Sequence, residues 1–585
     1  MSIIYIISSL TLIIMAVLIK RKEEKIDIVS TILTTLIAKI AYNTLTCYVL
    51  NLINIPITLQ NLSIINFVLA IVFIILIIKQ KKIQKYYLNK FSIFMLILFV
   101  ILTTIIISIN FNGLTKIRYV SMDAREHYKE TREFSENEFL GNKTKENNTN
   151  SPNFLPGAYT NVGIAFKTIR PFVGTIELYK VFIIMEAYWF VLIGMIFYFI
   201  LEDIINNKIA RIVTIIFSLI YVLGYPLNAW ISGFHYLLLG ILYVEMLVYL
   251  FTKEKNTKYK IAMMFFLNFE LILSYPLFCV FSYISEIIII LINEYKENKK
   301  IKWKSIIQIL IGVIVPMILG LVFLINPQYD KGVKSIALDG WIYKNLWSNF
   351  ILLIPFVIYE VYKEIHDKKT FDYKNVIFYL LLVFMIILFI GTKVGKVSEY
   401  YFYKNYFILW LLMFINFVQG ITKFIKEEKE KYIAIIYLIV YLLVFIIFGY
   451  TQKAYILNKN SDDLTRTMEV YSFNKTMMSM DVGFFMKNQI ELMQKAQEYV
   501  SWKNNNYYII SDPKIQSWII GLTGYDKPVF EKKEERIQKI QKKEIEYLIV
   551  FNNSKLYNDI KNIINMENYN LLYENTEGKI FKLKD

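Results

Sequence analysis

Residues 91–109 read FSIFMLILFVILTTIIISI, and nine residues later comes Arg118-Tyr-Val-Ser-Met-Asp123-Ala-Arg125-Glu126-His127-Tyr128. The first stretch is apolar on every side. A helix buried at one face of a soluble domain keeps a polar stripe, so an all-round apolar helix of this length has lipid as its solvent. The second stretch gathers a carboxylate, a histidine and two guanidiniums just past the end of that helix. The pair decides the fold class, a membrane span followed at once by a charged extramembrane segment.

Working outward, the same apolar pattern recurs along most of the chain. Hydrophobic residues make up 56% of the 585 positions. Spans are expected at 2–19, 28–50, 60–78, 91–111, 177–200, 211–229, 232–251, 261–276, 278–293, 305–325, 346–362, 375–391, 402–421 and 432–450. The fold class is therefore an α-helical polytopic membrane protein of about fourteen spans. The first apolar stretch has no basic residue ahead of it and no small-residue cleavage site behind it. Lys20, Arg21, Lys22 and Lys25 follow it instead, so it reads as a retained helix with its N-terminus outside. Prolines after Tyr225 and Tyr275 break the pattern, because proline lacks an N–H and disfavours helix at the residue before it.

A net charge of +17 suits nucleic-acid binding only if it is gathered on one surface. Here the cations fall in short clusters between apolar spans, as at 79–90, 253–260, 296–304, 363–374 and 423–431. Placing those clusters in the cytoplasm gives a consistent alternation, and seven such loops carry about fourteen of the excess charges. The charge is a topology signal and a nucleic-acid partner is not expected. The same threading puts the 112–175 loop, the shorter 326–344 and 392–399 loops and everything after 450 outside. The abundance of Lys, Ile and Asn is that of an AT-rich, bacterial genome. Cys47 and Cys279 both lie in apolar segments, with neither a disulfide framework nor metal-ligand spacing.

The organisation expected is 1–90 as N-terminal helices, 91–450 as a membrane core with its large loop, and 451–585 as a separate domain. In that tail, strand-like runs at 507–510, 547–551, 570–573 and 579–583 alternate with helical segments at 514–522, 534–543 and 554–564. Alternation of this kind predicts a small α/β domain with a partly parallel sheet. The turn after its first strand is Ser511-Asp512-Pro513, which is no glycine-rich phosphate loop, so nucleotide binding has no support.

Chemistry concentrates outside. If 118–128 is helical, Asp123 and His127 share a face four residues apart, with Arg118 and Arg125 beside them. A carboxylate in that setting can deprotonate an acceptor hydroxyl while guanidiniums hold a phosphate leaving group. The bland reading is an ordinary solvated interfacial helix. A second cluster holds Lys393, Lys396, Glu399, Tyr400, Tyr401, Tyr403 and Lys404. Lys404 lies just inside an apolar span, where an ammonium is costly unless paired or hydrated. It is a candidate for a lipid-carrier phosphate, with Tyr401 and its neighbours stacking on sugar. The alternative is a snorkelling lysine in an aromatic belt. His235 is a candidate binding residue or a structural hydrogen-bonder. Lys39, Glu186, Glu245 and Glu270 lie inside spans and need protein or water partners, and Glu186 with Glu270 keeps a proton relay in play. His366 reads as solvent-exposed, Asp330 and Asp339 belong to a loop that can cover the same cavity, and the polar 126–153 stretch is a candidate gate.

This layout resembles the GT-C superfamily of polyprenyl-phosphate-sugar-dependent glycosyltransferases. In that family a large first outer loop carries an acidic residue soon after its helix, and a soluble domain follows the last helix. The span at 91–111 takes the place of the family's first helix, with three helices ahead of it. Asp123 matches the loop carboxylate, His127 completes a D-x-x-x-H pattern similar to bacterial members, and Ile510-Ser511-Asp512-Pro513 with Trp518 and Leu522-Thr523-Gly524 resembles the tail domain of some of them. The resemblance covers about 91–585. It implies Asp123 as catalytic base, Arg118, Arg125, His127, His235, Lys404 and Tyr401 as substrate or phosphate partners, a polyprenyl-phosphate-linked sugar as donor and a cell-envelope glycan or polymer as acceptor. The paired acidic D-E or D-x-D motif of many members is absent, and no cofactor or metal site is assigned. Two other classes stay open: a lipid or polysaccharide transporter, and a non-catalytic envelope-assembly protein.

Overall fold

The computed structural model describes all residues except 20–24, 81–82, 122, 141–154, 205–207, 255–256, 326–339, 341, 343, 345–346, 367–371, 428–430, 452–467, 480–484, 503–505, 525–532, 553, 555–556, 558–567 and 585. Asp330, Asp339, most of the gate at 126–153 beyond residue 140, and nearly all of the helix expected at 554–564 lie outside the described residues.

Each of the fourteen expected spans overlaps a helix, although at 346–362 the helix begins only at Ile354 and at 211–229 it breaks at Gly224. Among the described residues, eleven helices are long and apolar enough to cross a membrane. The three that fall short do so for visible reasons. Ser2–Leu18 and Ile354–His366 are brief, and Thr257–Ser274 carries Lys258 and Lys260 in its first turn and Asn268 and Glu270 in its second half. Four spans form the centre, Thr175–Ile204, Val213–Ser232, His235–Lys253 and Glu399–Lys426, each more than 70% buried. Around them, Leu59–Gln80, Lys90–Asn110 and Tyr432–Gly449 leave most of their surface open, as lipid-facing helices do.

Prolines break the helical ladder, and asparagine side chains repair it. Pro316 cannot donate to the carbonyl of Gly312, and the helix widens into a π-turn over Leu310–Ile314. Asn268 Nδ2 donates to the freed Gly312 oxygen at 2.8 Å. The second break separates Lys208–Leu223 from Tyr225–Ser232. There Asn474 Nδ2 donates to the carbonyls of Leu223 and Gly224 at 2.9 and 2.8 Å. Asn474 belongs to Glu469–Ser479, a tail helix seated in the bundle, whose Tyr471 hydroxyl reaches Ile220 O at 2.9 Å.

Among its described residues, the long loop between the fourth and fifth spans holds two helices. Asp123–Glu136 buries Ala124, His127, Tyr128, Thr131 and Arg132 at helical spacing. Pro156–Ile169 is buried on nearly every side and packs among the spans Ile28–Leu52, Leu178–Ile204 and Thr257–Ser274. It re-enters the bundle as a structural element of the core.

In the tail, strands Tyr507–Ile510, Tyr547–Phe551, Gly578–Leu583 and Tyr569–Glu574 form a four-stranded sheet in that order. The first pair is parallel and the others antiparallel, with helices Pro513–Thr523 and Lys533–Gln541 in the crossover. The first two strands are buried along almost their whole length, which explains why their sequences are continuous apolar runs. A parallel pair Lys25–Asp27 and Lys85–Tyr87 joins two inter-span loops at the other end of the bundle.

Candidate functional site

The chain leaves the Lys90–Asn110 span and runs extended along the end of helix Tyr225–Ser232. Val120 N–H donates to Ile231 O at 3.0 Å and Ser121 N–H to Ser232 O at 3.3 Å. Ser121 Oγ then accepts from the Asp123 amide at 3.1 Å, and the Asp123–Glu136 helix begins. This strap fixes Asp123 at one end of the bundle, partly exposed and on the same helical face as His127.

Lys404 ends the short helix Glu399–Lys404, which Ser398 caps by accepting from the Tyr400 amide at 3.1 Å. Its ammonium lies 3.3 Å from the centre of the Phe234 ring and 4.8 Å from that of Tyr400. The side chain is 2% exposed. Among the described residues no carboxylate is in salt-bridge contact with it, and the anion whose field it feels is Asp123. A lysine nitrogen buried against ring faces is costly to keep charged, and a mobile anion arriving beside it is correspondingly favoured. Tyr400 and Tyr275 also lie in the field of Asp123. Lys404 thus lies against Phe234 and Tyr400, and Asp123 is near enough to act electrostatically on Lys404, Tyr400 and Tyr275.

Behind it lies a buried polar chain. Tyr119 donates to Glu186 Oε2 at 2.5 Å, and Glu186 Oε1 lies 3.1 Å from His235 Nδ1. The His235 ring stacks on Phe182 at 4.7 Å and faces His127 at 6.1 Å. With Nδ1–H donating to the carboxylate, His235 Nε2 is the acceptor atom, and it is buried with no hydrogen-bond partner among the described residues. His127 packs edge-on to Tyr236 at 4.7 Å, and burial pushes it from 6.5 down to about 3, so its ring is neutral.

The remaining candidates make other contacts. Arg118 is buried and donates to the carbonyl oxygens of Met478 at 2.7 Å and Met477 at 2.5 Å, which ties the strap to the tail. Arg125 Nε lies 3.6 Å from Glu126 Oε1. Tyr401 is partly buried against Tyr400. Lys393, Lys396 and Glu399 are exposed, and Glu399 pairs with Lys344 at 2.8 Å. His366 ends the helix Ile354–His366, stacked on Tyr362. Among the in-span acids, Glu245 accepts from Tyr221, and Glu270 accepts from Thr44 at 2.9 Å and Tyr243 at 3.3 Å. Lys39 donates to Asn43, which donates to Asn161 at 3.1 Å, and Asn161 donates to Thr44 at 3.0 Å. Lys39 is thereby joined to Glu270 through amides and a hydroxyl. Among the described residues no group of three or more His, Cys, Asp or Glu side chains is placed to hold a metal ion.

Sequence reasoning missed Phe234, Tyr275 and Gly233. The signals available were the helix stop Gly233-Phe234-His235 and the Tyr275-Pro276 break, which both bring non-helical backbone to the loop end of the bundle.

Fold and site together define a multi-pass membrane protein in which a carboxylate on a loop helix lies within electrostatic reach of a buried lysine at one end of the bundle. No family model and no curated protein matches the chain. Among solved structures it is similar to ArnT from Cupriavidus metallidurans bound to undecaprenyl phosphate, with 9% identity, 83% of this chain and 97% of that chain covered, and a TM-score of 0.42. It is also similar to the Archaeoglobus fulgidus oligosaccharyltransferase tethered with an acceptor peptide, with 11% identity, coverages of 84% and 74% and a TM-score of 0.40. The archaeal oligosaccharyltransferase AglB from the same organism, in complex with an inhibitory peptide and a dolichol-phosphate, aligns with 11% identity, coverages of 85% and 75% and a TM-score of 0.37.

Proposed function

We propose that the chain is a membrane glycosyltransferase that moves a sugar from a polyprenyl-phosphate donor to a hydroxyl of an extracytoplasmic cell-envelope acceptor. The observation that carries the reading is the burial of Lys404 against the rings of Phe234 and Tyr400, within electrostatic reach of Asp123. The donor phosphate binds beside the Lys404 ammonium, where burial makes an anion welcome, and the sugar lies against Tyr400 and Tyr275. Asp123 takes the proton from the acceptor hydroxyl as that oxygen attacks the anomeric carbon. The bond from that carbon to the phosphate oxygen breaks, and polyprenyl phosphate leaves with its new charge facing Lys404. A single displacement inverts the anomeric centre. His235, oriented by Glu186, offers Nε2 as a hydrogen-bond acceptor for a sugar hydroxyl. Arg118 acts less directly, by holding strap and tail together, and Arg125 lies beside Glu126 on the Asp123 helix. The reading places the strap, the cluster and the tail on the outer side of the membrane.

Mass spectrometry of envelope glycans with and without the gene tests this. Loss of one sugar substituent, with its polyprenyl-linked precursor accumulating, is the expected result. An unchanged glycan profile would reject it. A second reading, transport of a lipid-linked sugar, draws on the buried Lys39–Asn43–Asn161–Thr44–Glu270 chain, since ionisable groups inside a bundle are commonly parts of transport paths. It predicts precursor stranded on the inner leaflet.

A further inference from the structure

Glu286 is an acid of the spans that the site above does not use. It is fully buried in helix Cys279–Asn298, where Asn268 Nδ2 donates to its Oε2 at 2.8 Å. Its Oε1 is buried with no hydrogen-bond partner, and among the described residues no Lys, Arg or His pairs with the carboxyl. The same Asn268 amide donates to Gly312 O, so one side chain joins the carboxyl to the π-turn ahead of Pro316. A cavity of about 520 Å³ lies towards the C-terminal end of the Glu286 helix. Ile290, Asn293 and Glu297 line it, one, two and three turns beyond Glu286 on the same face. Gln308, one turn before Gly312, lines it from the next helix. Tyr373 lines it too, with its hydroxyl buried and without a hydrogen-bond partner, and lies within electrostatic reach of Glu286.

A buried oxygen without a partner, on the wall of a polar cavity this large, is a place for water. An ionised Glu286 would stand in the bundle with no counter-charge beside it, which lipid surroundings make costly. We propose that Glu286 is a proton-binding site, reached by water through this cavity past Tyr373. Its helix begins four residues after Tyr275, which lies in the field of Asp123, and carries the chain about 27 Å from Cys279 to Glu297. The cavity therefore lies at the end of the bundle opposite Asp123. The titratable groups nearest the carboxyl are Cys279 and Tyr283 on its own helix and Tyr373 on a neighbouring one. Along the cavity stand Lys304, Lys260 over the Phe251 ring, Glu294 bonded to Ser305, and Asp372 paired with Lys374. The inference does not depend on glycosyl transfer, and its test reads proton occupancy alone.

Dicyclohexylcarbodiimide, an apolar reagent, adds a protonated carboxyl across its C=N bond, and the adduct rearranges to a stable acylurea. Peptide-level mass spectrometry of the full chain in detergent then separates label on Glu286 from label on the other acids of the spans. Glu286 should be labelled at neutral pH, and Glu286→Gln should lose that label. Labelling should fall roughly tenfold per pH unit once the medium is alkaline enough to ionise the carboxyl. Asn293→Trp fills the cavity and Tyr373→Phe removes a hydroxyl that holds water, so both should delay the loss of labelling after a jump to alkaline pH. The parent chain alone decides the site if either variant fails to fold. No label on Glu286, or labelling indifferent to pH, would overturn the proton site. Loss of labelling as fast in both variants as in the parent would overturn the route. Protection by sodium ion at constant pH would show a metal-cation site and overturn the proton assignment.

Discussion

Ala124 packs against Gly233 so closely that a Cβ on the glycine would stand 2.4 Å from the alanine Cβ. Gly233 also holds φ at +74°, a left-handed conformation that closes helix Tyr225–Ser232 and turns the chain into Phe234 and His235. One residue therefore sets the approach of the Asp123 helix and the direction of the Phe234 ring beneath Lys404. Gly233→Ala should destabilise by more than about 1 kcal/mol through φ alone. It should also lower transfer roughly 100-fold by displacing Asp123 about 1 Å. Ala124→Gly in the same chain relieves the contact and should restore part of the rate. Transfer assays on the single and double variants check this; a fully active Gly233→Ala would refute it.

Trp518 joins the tail to the strap. It is 2% exposed, stacks on Tyr119 with centroids 6.1 Å apart and a 15° tilt, and lies 6.0 Å from Tyr128. Tyr119 in turn holds Glu186, so the tail is connected to His235 through two hydrogen bonds. Trp518→Ala should cost about 3–5 kcal/mol of stability. Thermal unfolding in detergent should shift down, and limited proteolysis should release the tail. An unchanged cleavage pattern would show that the docking does not rest on this residue.

His127 carries a pH signature. In the unfolded chain the ring titrates near 6.5, and in the folded chain burial holds it at about 3. Below 6.5 the unfolded state takes up a proton that the folded state refuses. Stability present above 6.5 is therefore lost progressively as pH falls towards 3. His127→Gln should flatten this acid-side decline in melting temperature, and a slope equal to that of the parent would contradict the burial argument. Because the ring stays neutral, the pH–rate profile should carry no limb from it near 6.5.

The spans were legible because lipid demands apolar residues all round, a signal that needs no partner to be read. The strands at 507–510 and 547–551 were legible for the same reason on a smaller scale, since both are buried along nearly their whole length. Pro156–Ile169 was not. Its Gly157, Ala158, Thr160, Asn161 and Gly163 compose a loop-like sequence, and only close packing makes it a core helix: a Cβ at Gly157 would meet Ser274 Oγ at 2.1 Å. Glu469–Ser479 stayed hidden because its burial comes from filling a break made by a proline far away in the chain. At the site, Asp123, Lys404 and His235 each stood out as ionisable groups near span ends. What joins them, the Phe234 ring and the Glu186 carboxylate, depends on how four segments cross. Of the guanidiniums next to Asp123 in sequence, Arg118 turns to the tail's carbonyls, a contact that needs the tail's fold to be seen.

The central claim is that Asp123 removes the acceptor proton while Lys404 receives the donor phosphate. Transfer kinetics of purified, correctly inserted Asp123→Asn and Lys404→Ala, each measured over a range of lipid-linked donor concentrations, test it most directly. The account predicts that Asp123→Asn loses roughly 10²–10⁴-fold in kcat with the donor KM little changed, because shape is kept and only the proton acceptor is gone. It predicts that Lys404→Ala raises the donor KM. Near-parental transfer by Asp123→Asn would contradict the account and bring the transport and assembly readings forward.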